Sequence, residues 1–237
     1  MSKYKFEDLI LFEDKNLIVI NKPPFISSLE DRSSPDNILA LARQYCKTAQ
    51  LCHRLDKETS GCLIIARNED TYKFISIQFQ DRKVIKKYHA LSEGVQDFKE
   101  KIVEAPIFYR TGGDARIDFR NGKPAVTSLN TLKNYRRYTS IEALPVTGRL
   151  HQIRVHLSYL KAPIVGDTHY GGHNFFLSSI KPKYRSGKWE EEKPLIKRFA
   201  LHASSIEFEK VEGGKKLIEA PYPKDLRALF NQLDKYG

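Results

Sequence analysis

The chain has 237 residues, a formal net charge of +11 and a pI near 9.4. This length suits one domain of two lobes with a sizeable core. The basic balance favours an anionic partner, with RNA, DNA and a membrane surface all open. Cys46, Cys52 and Cys62 form no C-x-x-C pair; an odd count argues against a disulfide framework or zinc site and for a reducing, cytoplasmic setting. Met1–Phe6 is not followed by a signal-peptide core, and no apolar run reaches the length of a membrane span, so no membrane partner is expected.

Ile10-Leu11-Phe12 and Leu17-Ile18-Val19-Ile20 predict a short hairpin. Ser34-Pro35 predicts a helix start, serine as cap and proline in the first turn, running through Leu39, Leu41 and Ala42. The polar stretch His53–Gly61 then separates Leu51-Cys52 from the apolar run Cys62–Ala66, and reads as a loop between two buried strands. Thr59-Ser60-Gly61 reads as its tight turn, which leaves Asp56 at the head, flanked by Arg54 and Lys57. Asn68 predicts the cap of a helix reaching Phe79. Strands are expected at Val84–Leu91, Ala125–Leu132 and Thr139–Pro145.

Gly148–Leu157 reads as a turn followed by a helix. Leu150, Ile153, Leu157 and Leu160 make one apolar stripe with Arg154 at its edge. A partly buried arginine there needs a carboxylate partner. Gly166–Gly172 reads as a rigid polar loop. Phe175–Lys197, with Lys188-Trp189-Glu190-Glu191-Glu192, reads as an exposed loop or hairpin, and Arg227–Leu233 as a short closing helix. Strands in hairpins mixed with helices point to an α+β fold. Basic and aromatic residues interleave in Arg82–Tyr88, Lys133–Tyr138 and Lys181–Arg185, a combination that suits looped or single-stranded RNA.

In chain order, H-R-L-D-x-x-T-S-G at 53–61, G-R-x-H-Q-I-R-x-H-L at 148–157 and G-D-x-x-Y-G at 166–171 resemble the motif set of RluA-type pseudouridine synthases. Asp14–Pro23 looks like that family's opening strand, Lys87-Tyr88-His89-Ala90 like its K-Y strand, and Arg198–Ala203 like its late R-x-x-L-H-A element. The resemblance implies a single catalytic domain over 1–237. It would be built on a long mixed, largely antiparallel β-sheet flanked by helices and loops, with a central active-site cleft.

The activity implied is isomerisation of a specific uridine in an rRNA or tRNA stem-loop to pseudouridine. The reaction needs no redox change, metal or cofactor, and the protein is expected to act on RNA as a monomer. Asp56 would be the catalytic carboxylate, as nucleophile toward sugar or base or as a base removing a sugar proton. Arg154 would pair with Asp56 and fix its direction. Tyr88 would lie against the uracil face, its hydroxyl available for proton transfer. Ile153 would wall the pocket, and Arg54 would meet RNA phosphate or fill the gap left by a flipped base. His53 and Thr59 complete the expected substrate contacts.

The sequence departs from the family in two places. About ten residues precede the first strand, too few for the small RNA-binding module many members carry, so substrate selection is expected from the catalytic domain itself. Lys22-Pro23-Pro24-Phe25 lacks the glycine usual soon after K-P. Two other readings are an idle RNA-binding protein on the same scaffold, which the intact Asp56, Tyr88 and Arg154 oppose, and a nuclease using His53 with Asp56, for which no second acid cluster is found.

Overall fold

Apolar runs become strands and periodic stretches become helices across the residues that the computed structural model describes, 4–30, 36–109, 113–181, 184 and 191–237. In chain order these are β1 (Ile10–Glu13), β2 (Leu17–Lys22), α1 (Ile38–Tyr45), β3 (Gln50–Leu51), β4 (Ser60–Ala66), α2 (Glu69–Gln80), β5 (Ile85–Glu93) and β6 (Lys101–Glu104). There follow β7 (Ile107–Tyr109), β8 (Ala115–Ile117), β9 (Val126–Asn134), β10 (Tyr138–Pro145), α3 (Gln152–Tyr159), β11 (Leu201–Glu209), β12 (Lys215–Glu219) and α4 (Lys224–Tyr236). The chain forms two compact units, 1–87 with 202–221 and 88–201 with 222–237.

In the first unit β4 is buried along its whole length, as a continuous apolar run demands when both faces of a strand are covered. It pairs antiparallel with β2 from Lys22↔Gly61 to Leu17↔Ala66. β3 lies antiparallel to the end of β4, and β11 parallel to its start through His202↔Ser60 and Ala203↔Gly61. β1 flanks β2 and β12 flanks β11, both antiparallel. The Asn68 side chain caps α2 by accepting from Thr71 N at 2.9 Å. α1 starts later than expected, at an Asn37 cap accepting from Ala40 N at 2.8 Å; Ser34 and Pro35 lie outside the described residues. Burial pushes the Cys52 and Cys62 thiols up to about 12, which makes them unreactive apolar residues.

In the second unit the strand order is β5-β10-β9-β6, with β7 and β8 as a separate hairpin. All these pairs are antiparallel. α3 packs against β8, β9 and β10. Leu226, Leu229 and Leu233 of α4 join the core of this unit, each burial contributing about 1.5–3 kcal/mol. Phe175 and Ile196 are also in that core, so the stretch expected as an exposed loop is pinned at both ends. Lys188, Trp189 and Glu190 lie outside the described residues. The fold is α+β with mixed, largely antiparallel pairing, and β4 with β11 is a parallel pair among the described residues. No described helix is long and apolar enough to cross a membrane.

Candidate active site

The Asp56 turn belongs to the first unit, and its backbone is tied down on several sides. Leu55 N donates to Ser28 Oγ at 3.0 Å while Ser28 Oγ donates to Leu55 O at 2.8 Å. Phe25 N donates to Lys57 O at 2.8 Å, and Thr59 N to Asp56 O at 3.0 Å, closing the turn. The fully buried Lys22 gives its ammonium to Pro23 O, Ile26 O and Lys57 O at 3.0, 2.8 and 3.1 Å. Three carbonyl acceptors match the three donors of an ammonium, so this lysine clamps the 22–28 loop onto the Asp56 turn. Asp56 itself stays half-buried, Thr59 is buried and Arg54 is exposed.

The glycine of this segment takes the positive φ expected of it, but at the start of a strand and not in a turn. Ser60 and Gly61 open β4 instead of forming the turn. Gly61 has φ +114°, and a Cβ there would collide with the Ala203 backbone; only glycine lets β11 approach so closely. Ser60 Oγ lies 2.9 Å from His202 Nδ1, and His202 Nε2 lies 3.0 Å from Ala220 O. The L-H-A element thus braces the base of the turn. In the 22–28 loop, Phe25 takes φ +68°, the left-handed region that glycine occupies freely and phenylalanine only at a cost.

His53 also serves the turn. Its Nε2 accepts from Ile64 N at 3.1 Å, and its ring lies 4.8 Å from that of Phe79. An accepting Nε2 leaves the proton of the neutral ring on Nδ1. Burial, with the Lys86 ammonium adding to it, pushes the imidazole down to about 3. Its usual value is 6.5, so below that pH the unfolded chain takes up a proton that the folded chain refuses. Folding should therefore be unaffected by His53 above pH 6.5 and should lose on the order of 2–3 kcal/mol as pH falls to 4. Urea titrations of wild type and His53→Gln at pH 7, 5 and 4 check this. The glutamine variant should lose less stability on acidification, and equal losses would remove His53 as the cause.

In the second unit the G-R-L-H-Q-I-R-V-H-L segment forms a tight polar frame. Gln152 Oε1 accepts from Thr147 Oγ1 and Arg149 N at 2.6 and 3.0 Å, and its Nε2 donates to Val126 O and Thr127 Oγ1, both at 2.9 Å. His156 lies 2.9 Å from both Thr127 Oγ1 and Ala105 O, and burial lowers its pKa. Ile153 is buried in the core, against which Tyr88 packs half-buried. Gln152 through Leu157 are all buried, while Tyr159 at the end of α3 is exposed; the single apolar stripe read from the sequence understates the burial of the first turns.

Arg154 is buried, as its place on the helix implied, and Asp167 grips it from thirteen residues on. Nε donates to Oδ2 at 2.7 Å and Nη2 to Oδ1 at 2.8 Å. The guanidinium carbon lies 4.2 Å from the Phe199 ring centroid and 4.8 Å from that of Tyr170. A bidentate carboxylate and two aromatic rings fix both the position and the plane of the group. Tyr170 is itself held, its oxygen accepting from Ala115 N at 3.2 Å and lying 2.7 Å from His151 Nδ1. The sequence reading names no role for Asp167, although it singles out the Gly166–Gly172 loop that carries it. Lys22 and His202 were missed as well; each stood in a quoted motif with no role attached.

Comparison with known proteins agrees with these motifs. A family model described as RNA pseudouridylate synthase matches residues 16–159. The chain is 31% identical over 234 residues to ribosomal large subunit pseudouridine synthase C of Vibrio cholerae serotype O1, spanning 97% of this chain and 70% of that protein. It is 36% identical over 239 residues to synthase C of Buchnera aphidicola subsp. Baizongia pistaciae, spanning 96% and 71%. Among solved structures, human RNA pseudouridylate synthase domain containing 4 superposes with a TM-score of 0.71 at 26% identity, covering 97% of this chain and 95% of that one. A pseudouridine synthase by these matches and by its motifs, the chain belongs to the RluA-type branch of the RNA pseudouridylate synthase family.

Proposed function

We propose that this enzyme converts a uridine in a hairpin of large-subunit ribosomal RNA to pseudouridine, with Asp56 as the catalytic carboxylate. The observation that carries the assignment is the Asp56 turn. Its backbone is held by Ser28, Phe25 and Lys22, so a carboxylate at its head keeps one orientation, as nucleophilic or base catalysis requires. The ribosomal substrate is favoured by the relatives, several of which are named large-subunit synthases.

The reaction breaks the bond from ribose C1′ to uracil N1 and forms one from C1′ to C5. N1 gains a proton and C5 loses one, so atoms and electrons balance without an added reagent. Asp56 attacks the sugar or the base, or removes a sugar proton. Tyr88 holds the uracil face while the ring turns, and its hydroxyl serves the proton transfer at C5. Arg154 supplies a fixed positive charge that orients the carboxylate. Ile153 walls the pocket, while Arg54 meets the RNA at the flipped nucleotide. Through its bond to Ile64 N, His53 acts on the shape of the turn, as does Thr59 through its bond to Asp56 O.

Synthetic ribosomal hairpins and tRNA anticodon stem-loops, incubated with the protein with and without chelator, test this reading by mass spectrometry of the digested RNA. Pseudouridine in a ribosomal hairpin, undiminished by chelator, is expected. Product confined to the tRNA stem-loops would overturn the substrate, and product in neither would overturn the activity on such RNAs.

A further inference from the structure

The basic run Arg82–Lys87 has no part in the chemistry above, and one of its lysines stands apart. Lys86 on β5 is half-buried, its ammonium 5.8 Å from the centroid of the Phe79 ring. The same ring packs against His53, which opens the Asp56 turn. Among the described residues no carboxylate pairs with Lys86, whereas its neighbour Lys83 is engaged by Asp81 at 3.3 Å.

We propose that Lys86, with the aromatic floor of Phe79 and the uncharged His53 beside it, is a binding site for a phosphodiester of the substrate RNA next to the flipped nucleotide. This rests on the RNA-modifying function argued above and assigns one specific contact within it. A partly desolvated ammonium without a counter-ion is costly, and a phosphate oxygen supplies both the missing charge and a strong acceptor.

The charge balance around Lys86 supports the assignment. The charged groups on the neighbouring elements are Asp81, Arg82 and Lys83 after α2, Arg54, Asp56, Lys57 and Glu58 on the turn, Lys87 on β5, and Glu207 and Glu209 on β11, of which Glu207 is engaged by Lys215 at 3.1 Å. None of them offsets the cost of burial, which alone brings the Lys86 amine down to about 8. A bound phosphate favours the charged form and raises that value, so binding takes up a proton in the range where the free amine is partly neutral. Affinity should therefore fall as pH rises past 8.

The test is the affinity of the full chain for a labelled ribosomal hairpin, measured at pH 7 and 9 at fixed ionic strength, and across a salt series at pH 7. Wild type should weaken about fivefold between the two pH values. Lys86→Met should bind about tenfold more weakly at pH 7. It should also lose the pH dependence and show a salt slope shallower by about one unit. Lys86→Arg should keep wild-type affinity and salt slope at pH 7 but lose the pH dependence, because a guanidinium does not titrate there. If Lys86→Met retains wild-type affinity, pH response and salt slope, the phosphate site is wrong while RNA modification stands. If wild type binds no hairpin at all, the proposed ribosomal substrate falls and takes this site with it.

Discussion

Asp56→Asn should reduce pseudouridine formation by about 10³-fold or more and leave hairpin affinity within about threefold of wild type. The amide matches the carboxylate in shape but is neither a nucleophile nor a base. The bonds named above for the turn use the backbone of Leu55, Asp56, Lys57 and Thr59 together with Lys22 and Ser28, and the substitution touches none of these atoms. It also removes a negative charge near bound RNA, so any change in affinity should be toward tighter binding. Tritium release from RNA labelled at uridine C5 gives the rate, and a titration with labelled hairpin gives the affinity. Turnover by Asp56→Asn near the wild-type rate would falsify the mechanism. Lost binding together with lost turnover would instead mean that the asparagine has disturbed the turn.

Arg154→Leu should cost about 3–5 kcal/mol of stability and also abolish activity. The stability loss comes from Asp167, whose side chain is only 1% exposed and would be left buried without its partner. In a protein whose total stability is of order 5–15 kcal/mol, that is a large fraction. The double variant Arg154→Leu/Asp167→Leu separates the two effects. Replacing both halves of a buried ion pair with apolar groups is often close to neutral, so the double variant should recover most of the stability while remaining inactive. Urea denaturation and the tritium assay on both variants provide the readout. If the single variant keeps its stability within about 1 kcal/mol, the ion pair is not structural. If the double variant turns over normally, Arg154 is not part of the chemistry.

What the sequence determined is what depends on neighbours along the chain. Asn68 caps α2 where expected, because a side-chain oxygen before a periodic run meets the free N–H groups of its own first turn. Leu17–Ile20 and Cys62–Ala66 had to be strands, being short apolar runs between turn residues. The motifs from His53 to Gly171 were specific enough to reveal the family, since their residue types and order survive whatever the loops between them do. The short strands β6, β7, β8 and β12 went unread, because three to five residues carry too little alternation to stand out.

Tertiary structure decided the partners. Charge and burial showed that Arg154 needed a carboxylate, but nothing along the chain marks Asp167, thirteen residues on, as one that meets it. Only the folded loop brings Asp167 onto the guanidinium. Gly61 looked like a turn glycine, and it became a strand residue because β11, whose Ala203 is its register partner, runs parallel against it. Gln152 and His156 lie off the apolar stripe read from the sequence, yet both are buried, as is every residue of α3 through Leu157. They can be inside because Thr127, Val126, Ala105 and Thr147 meet each of their polar atoms, and a buried polar group is tolerated only when such partners exist. Those partners come from strands and loops distant in sequence, and their positions are settled only when the sheet has closed around the helix.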